Sequence, residues 1–208
     1  MGNTKVLAAV FGPKEVSQRS QLDTTGAIVR CEYAMAAFST GERRKRGKTD
    51  RRSTELSMVI RNTLEQTIMR ELLPRSQIDV YVQVLQADGG TRCACINAAF
   101  LALADAGVPM RDMLGSCAAG YLESTPLLDL NYLEDSGGGP DVVLAVQPNL
   151  DKVVLLQADN RLAIETFEEV MGLAIAGCKA VSAFMRERLL EHTQHLALAR
   201  MPVVAGRT

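Results

Sequence analysis

The sequence predicts one α+β domain, a mixed sheet packed with helices. Three observations predict it. Segments of alternating or unbroken apolar residues read as strands, and segments of three- and four-residue apolar spacing read as helices. They follow in the order strands, helix, strand, helix, strands, helix, without the strict βαβ alternation of a parallel α/β fold. No internal repeat and no linker divides the 208 residues. The composition, 47% hydrophobic and 23% charged with no Trp, is that of a chain that builds its own core. A chain of this length buries roughly 70% of its unfolded surface without staples. The domain is expected over residues 1–195, with 196–208 a disordered tail, because 200–208 carry no period.

Residues 4–10 form a short apolar run ended by Phe11-Gly12-Pro13, a strand closing in a turn. Residues 14–26 are polar and read as a loop, and 27–38 as an Ala-rich strand. From Arg51 the period changes. Leu56, Val59, Ile60, Leu64, Ile68 and Leu72 predict an amphipathic helix over 53–73, stopped by Pro74. Ile78, Val80, Val82 and Val84 alternate strictly, a half-buried strand over 77–86. Residues 91–106 are apolar and rich in small side chains, a buried helix closed by Gly107. Strands are expected over 116–121, 127–130, 142–146 and 152–156, with turns at 136–140 and at Pro148-Asn149. A long helix runs from Glu165 to about His192, its inner stripe holding Phe167, Val170, Met171, Ala174, Ile175, Cys178, Val181, Phe184 and Met185.

Several classes fall away. The longest apolar runs, such as 98–104, are far short of the roughly 20 residues that span a bilayer, so no membrane partner is expected. No basic, apolar and small-residue leader opens the chain, so secretion is not expected. Five cysteines (31, 93, 95, 117 and 178) are an odd set without a disulfide framework, and they read as free thiols in a reducing compartment. Cys93 and Cys95 make a CxC with no nearby His, a poor zinc set. The only histidines, His192 and His195, lie near the end of the last helix, which leaves nucleophilic triads little support.

The net charge of −1 conceals an asymmetry. Residues 42–52, ERRKRGKTDRR, carry seven basic and two acidic side chains, a local +5 that leaves the rest of the chain at −6. Arg43, Arg44, Lys45, Arg46, Arg51 and Arg52 in this run suit an anionic partner such as single-stranded nucleic acid, or a solvated loop or import patch. Phe38 is the one aromatic residue flanking the run, placed equally well for stacking or for the core. Arg51 and Arg52 stand at the predicted helix start, where the macrodipole disfavours cations, so an anion is expected to compensate there.

Two further segments suit chemistry. In 86–92, QADGGTR, a strand leads through Gly89 and Gly90 to Thr91 and Arg92 at a helix start. Glycines let backbone approach an anion, the helix end offers unpaired N–H groups, and Arg92 adds a fork suited to phosphate. The motif is neither a Walker A nor a GxGxxG loop. In 129–135, DLNYLED, Asp129 and Asp135 flank a strand end, as oxygen donors for Mg²⁺, as a general acid, or as a surface turn.

Taken in order, GNTKV at 2–6 through Gly12-Pro13, QADGGTR at 86–92, DAGVPMRD at 105–112 and DLNYLED at 129–135 resemble the RNase PH family. The resemblance covers roughly residues 2–195. RSQIDVYVQVLQ at 75–86 is more similar to the ribosomal-RNA-processing exosome branch than to bacterial RNase PH. The resemblance implies a ribosomal-protein-S5-domain-2-like fold and a hexameric ring with other RNase PH-like exosome subunits and cap proteins. It implies phosphorolysis of single-stranded RNA 3′ ends with inorganic phosphate as co-substrate, in nucleus, nucleolus and cytoplasm. Gly89, Gly90, Thr91 and Arg92 would hold phosphate. Asp129 and Asp135 would supply Mg²⁺ binding and a general acid. Arg51 and Arg52 would grip RNA. A non-catalytic ring subunit lining an RNA path, and a bacterial-type enzyme trimming tRNA 3′ ends, are the competing functions. One departure stands out: family members carry an earlier Asp-Gly-Arg-Arg-type segment and strand pair, whose lack would leave a sheet edge open.

Overall fold

The computed structural model describes residues 1–16, 23–43 and 50–200. Among the described residues, seven strands and four α-helices follow the order β1 (Lys5–Glu15), β2 (Ile28–Met35), α1 (Arg51–Thr67), β3 (Ser76–Gln86), α2 (Thr91–Asp105), β4 (Gly115–Leu122), β5 (Thr125–Leu128), α3 (Tyr132–Ser136), β6 (Asp141–Gln147), β7 (Lys152–Asp159) and α4 (Ile164–Arg200). The strands form two sheets. One is mixed, ordered β1-β3-β2, with β1 antiparallel and β2 parallel to β3. The other is antiparallel, ordered β5-β4-β6-β7.

The alternation of Ile78, Val80, Val82 and Val84 puts all four fully inside. They pack on Ile60 and Leu64 of α1 and on Ile96, Phe100 and Leu103 of α2. A second core lies between the antiparallel sheet and α4, where Cys117, Ala119, Val142 and Leu144 meet Val170, Ala174 and Cys178. The helix α2 thus lies between the two sheets. Buried Asn97 ties it to β4, accepting from the Ser116 N–H at 2.9 Å and donating to the Ser116 carbonyl at 2.8 Å. Cys93 and Cys95, two residues apart on α2, point about 200° apart and enter different apolar clusters. Among the described residues no helix is long and apolar enough to cross a membrane.

The structure corrects several element boundaries. β1 does not close at Phe11-Gly12-Pro13: it crosses them through a register shift and pairs Lys14 and Glu15 with Gln77 and Ser76. α1 begins at Arg51 and ends at Thr67, not Leu73. There the chain turns extended, because Ile68 bridges Met110 and the Met69 N–H donates to the Pro109 carbonyl at 3.0 Å. This long-range pairing leaves Leu72 exposed on a short 3₁₀ turn. On α4, Phe184 lies outside the inner stripe. Ser182 is buried there instead, and Phe184 stacks outside beneath the Arg188 guanidinium at 5.0 Å. α4 runs to Arg200, so 196–200 are helical, while 201–208 lie outside the described residues.

Candidate active site

The β3–α2 loop is the centre of the site. Gly89 and Gly90 both take left-handed backbone, φ +70° and +52°, a conformation that glycine adopts freely. Gly90 is the N-cap of α2 and offers no side chain to the first-turn N–H groups. A Cβ on Gly89 would stand 2.2 Å from the Leu130 carbonyl oxygen, so only glycine lets this loop lie against the 129–131 segment.

That segment is shaped by Asp129. Its φ of +58° turns the chain sharply after β5, a conformation Asp tolerates better than most residues. The Asp129 N–H donates to the Ala118 carbonyl at 2.8 Å. The turn brings the carboxylate to the loop: Asp129 Oδ1 lies 3.3 Å from where a Gly90 Cβ would be. Asn131 then caps α3, accepting from the Leu133 and Glu134 N–H groups, while its own N–H donates to Glu134 Oε2 at 2.8 Å. Asp135 lies in the first turn of this capped helix, its N–H donating to the Asn131 carbonyl at 2.9 Å.

Asp88 knits the two loops together. Its Oδ1 accepts from the Tyr132 N–H at 3.2 Å and its Oδ2 from Asn3 Nδ2 at 2.8 Å. Thr4 Oγ1 accepts from the Asp88 N–H at 3.0 Å and donates to the Gly89 carbonyl at 2.8 Å.

A cleft of about 120 Å³ collects residues from four segments, including Arg52 and Asp50 at the head of α1, Gly89 and Thr91 of the glycine loop, and Tyr132 and Asp135 of α3. Arg51 is exposed beside Arg52. These two arginines are the first residues of α1 rather than its approach. The compensating anion expected there is in part the chain's own, because Asp50 is the N-cap and accepts from the Arg52 N–H at 3.3 Å. Arg43 lines a separate shallow hollow with Phe38, Thr40 and Gly41, and Thr40 borders both hollow and cleft. Phe38 is 74% exposed, which removes it from the core. Arg44, Lys45 and Arg46 lie outside the described residues.

Arg92 reaches the antiparallel sheet, where its Nη1 donates to Gln157 Oε1 of β7 at 3.0 Å. Its charge is felt at Asp141, a carboxylate that sequence reasoning missed. Burial holds Asp141 above the ordinary carboxylate range, and the charges of Asp159 and Asp135 push the same way while Arg92 opposes them. Gln157 and Asp141 carry no local signal and are placed by tertiary pairing, while Asp88 lies inside the glycine motif but finds its partners, Tyr132 and Asn3, elsewhere in the chain. Asp50 and Asn131 did carry one, a capping residue before a helical period. The described cysteines are free. Burial pushes the Cys31, Cys95 and Cys178 thiols up to about 12 and that of Cys117 to about 11, so they are protonated, poor nucleophiles.

A strand leading through paired glycines to a helix end without a side-chain cap, faced by carboxylates and arginines, is an arrangement whose N–H groups and cations suit an anion. Residues 1–109 match domain 1, and residues 112–177 match domain 2, of the 3′ exoribonuclease family, RNase PH. The chain belongs to this family. It is 63% identical over 201 residues to the exosome complex component RRP41 homolog of Arabidopsis thaliana, covering 96% of this chain and 83% of that protein. It is 45% identical to exosome complex component RRP41 of Mus musculus, covering 95% and 81%. Against exosome complex component Rrp41 of Thermococcus onnurineus the identity is 50%, covering 91% and 76%. Among solved structures, rice (Oryza sativa) Rrp46 superposes with a TM-score of 0.78 at 25% identity, covering 90% of this chain and 84% of that one. The RNase PH-like α+β fold expected from the sequence is the fold observed, with its strands divided between two sheets.

Proposed function

We propose that this chain is an exosome ring subunit that shortens RNA from the 3′ end by phosphorolysis. The carrying observation is the cleft in which Arg52, Gly89, Thr91 and Asp135 meet, drawn from α1, the glycine loop, α2 and α3. The relatives named as exosome components support the assembly: RNA and other RNase PH-like subunits are the partners, in a hexameric ring with cap proteins, working in nucleus, nucleolus and cytoplasm.

In the proposed reaction an oxygen of inorganic phosphate attacks the last phosphodiester phosphorus. The bond from that phosphorus to the preceding 3′ oxygen breaks, the 3′ oxygen takes up a proton, and a nucleoside diphosphate leaves. The N–H groups at the α2 start, the Thr91 hydroxyl and the Arg92 guanidinium hold the attacking phosphate, where oriented donors act most strongly. Arg51 and Arg52 hold RNA phosphates at the head of α1, with Arg43 and the basic run beyond it extending the path, Arg44, Lys45 and Arg46 included. Asp129 and Asp135 between them supply the proton and the oxygen donors for Mg²⁺. Among the described residues no group of three or more His, Cys, Asp or Glu side chains is set to hold a metal. Two carboxylates beside a phosphate site still fit Mg²⁺, which takes its other ligands from phosphate and water. When bound it would offset phosphate charge.

The test is release of nucleoside diphosphate from 3′-labelled RNA by the assembled ring, with and without phosphate. Phosphate-dependent release, lost when the arginines and aspartates are replaced, supports the reading. RNA binding without release would make the chain a scaffold lining the path. A homohexamer trimming tRNA would make it a bacterial-type enzyme.

A further inference from the structure

We infer that Gln157 is a positioning residue for Arg92, holding its guanidinium toward the phosphate site and away from the neighbouring carboxylates. The inference rests on the phosphate-binding role proposed for Arg92. The two residues are 65 positions apart, one at the start of α2 and the other on the edge strand β7, and they meet through the 3.0 Å bond from Nη1 to Oε1. In the β6–β7 ladder Gln157 pairs with Val143 and Asp159 with Asp141. Alternate strand residues share a face, so Gln157, Asp141 and Asp159 lie on one face of the sheet. Val143, on that same face, packs against Cys93, the neighbour of Arg92. Arg92 therefore starts from a strip with a neutral amide along one part and carboxylates along another. The field of Arg92 is felt at Asp141, which also feels Asp135 and Asp159.

A long cation within the field of a carboxylate such as Asp141 tends to collapse onto it, and a guanidinium paired there is a poor phosphate ligand. One hydrogen bond to Gln157 fixes its position and leaves further N–H donors for an anion. The chemistry of residue 157 matters as much as its reach. An amide oxygen accepts without cancelling charge, whereas a carboxylate would hold the arginine and neutralise what the phosphate needs.

The test uses the chain assembled with its ring partners, with inorganic phosphate as the probe. Gln157→Met keeps the length and removes the acceptor. It is expected to raise the KM for phosphate about tenfold, the scale of one hydrogen bond to a charged group. The KM for RNA and the melting temperature should stay at wild-type values, which separates positioning from a structural role. Gln157→Glu is expected to raise the phosphate KM as well, with the rise shrinking as salt screens the added charge. In an Arg92→Ala background Gln157→Met should add nothing further, since both act through one group. Additive effects, or a wild-type phosphate KM in Gln157→Met, would overturn the inference. Direct titration with phosphate, without turnover, separates the two layers. If wild type binds phosphate no better than Arg92→Ala, the role of Arg92 fails and this inference with it. If binding depends on Arg92 but is unchanged in Gln157→Met, only the Gln157 inference fails.

Discussion

Asp88 accepts a hydrogen bond from the Tyr132 N–H at 3.2 Å, and this bond joins the glycine loop to the acidic segment across 44 residues of chain. Both candidate halves of the site hang on it: Gly89 and Thr91 follow Asp88, and Asp135 follows Tyr132 by three. Asp88→Ala should lower stability by about 1 kcal/mol, the scale of a typical net hydrogen bond. It should lower kcat more than that loss implies, because loop and carboxylates lose their common anchor. Asp88→Asn keeps one acceptor oxygen and should recover most of both. Thermal melts beside single-turnover rates check this, and equal rates in wild type and Asp88→Ala would make the bond structural only.

Arg92→Ala should raise the KM for phosphate and lower kcat with the fold intact, since half-buried Arg92 contributes no side chain to the main core. Arg92→Lys should rescue poorly, because an ammonium lacks the planar fork that spans both Gln157 and a phosphate oxygen. Phosphate titrations of the two variants decide it, and unchanged phosphate dependence in the alanine variant would remove Arg92 from the site.

Much of this was legible from the residues alone, and the reasons differ by element. The alternation around Val80 and the caps around α2 are local signals, and both elements lie where the pattern puts them. The end of α1 was not legible, since its stop at Thr67 comes from pairing with residues 109–111 rather than from Pro74. Phe184 was misread because a stripe of Val170, Ala174, Cys178 and buried Ser182 does not advertise itself by hydrophobicity at every step. In the site, the glycine loop carried its own chemistry, but Asp141 and Gln157 are strand residues whose role depends on which helix end the sheet meets.

Asp129→Asn and Asp135→Asn should each abolish most turnover while RNA binding survives. Loss of a general acid costs about 10²–10⁴ in rate. Asn is a mild replacement at 129, because it tolerates the φ of +58° that this position imposes. Full phosphorolysis by both variants, in an otherwise active ring, would reduce the segment to a surface turn.

Asp141 sets a pH signature. Burial first, then the charges of Asp159 and Asp135, raise its folded pKa above the ordinary 3.8. The folded state therefore binds this proton more tightly than the unfolded one. Its stabilising contribution is complete below 3.8 and is lost as pH rises through the folded value. At neutral pH the ionised side chain is a net liability. Asp141→Asn should melt higher than wild type near pH 7, and the gap should close as pH falls toward 4. A gap independent of pH would mean that the substitution acts through packing.

Arg51 and Arg52 open α1 against its dipole, and Asp50 offsets only part of that conflict. An RNA phosphate lying at the helix head would complete the compensation. Each single-stranded phosphate contact contributes about 0.7 to the slope of log K against log salt. Replacing both arginines with Ala should flatten that slope by about 1.4 and weaken binding to all RNA sequences alike. The stability of α1 should hold or rise slightly, since two cations leave its positive end while the Asp50 cap stays. Filter-binding titrations across salt concentrations, beside thermal melts, read both effects. Wild-type affinity and slope in the double variant would make the pair solvated surface. RNA would then have to enter by the hollow where exposed Phe38 and Arg43 stand together, bordering the cleft through Thr40.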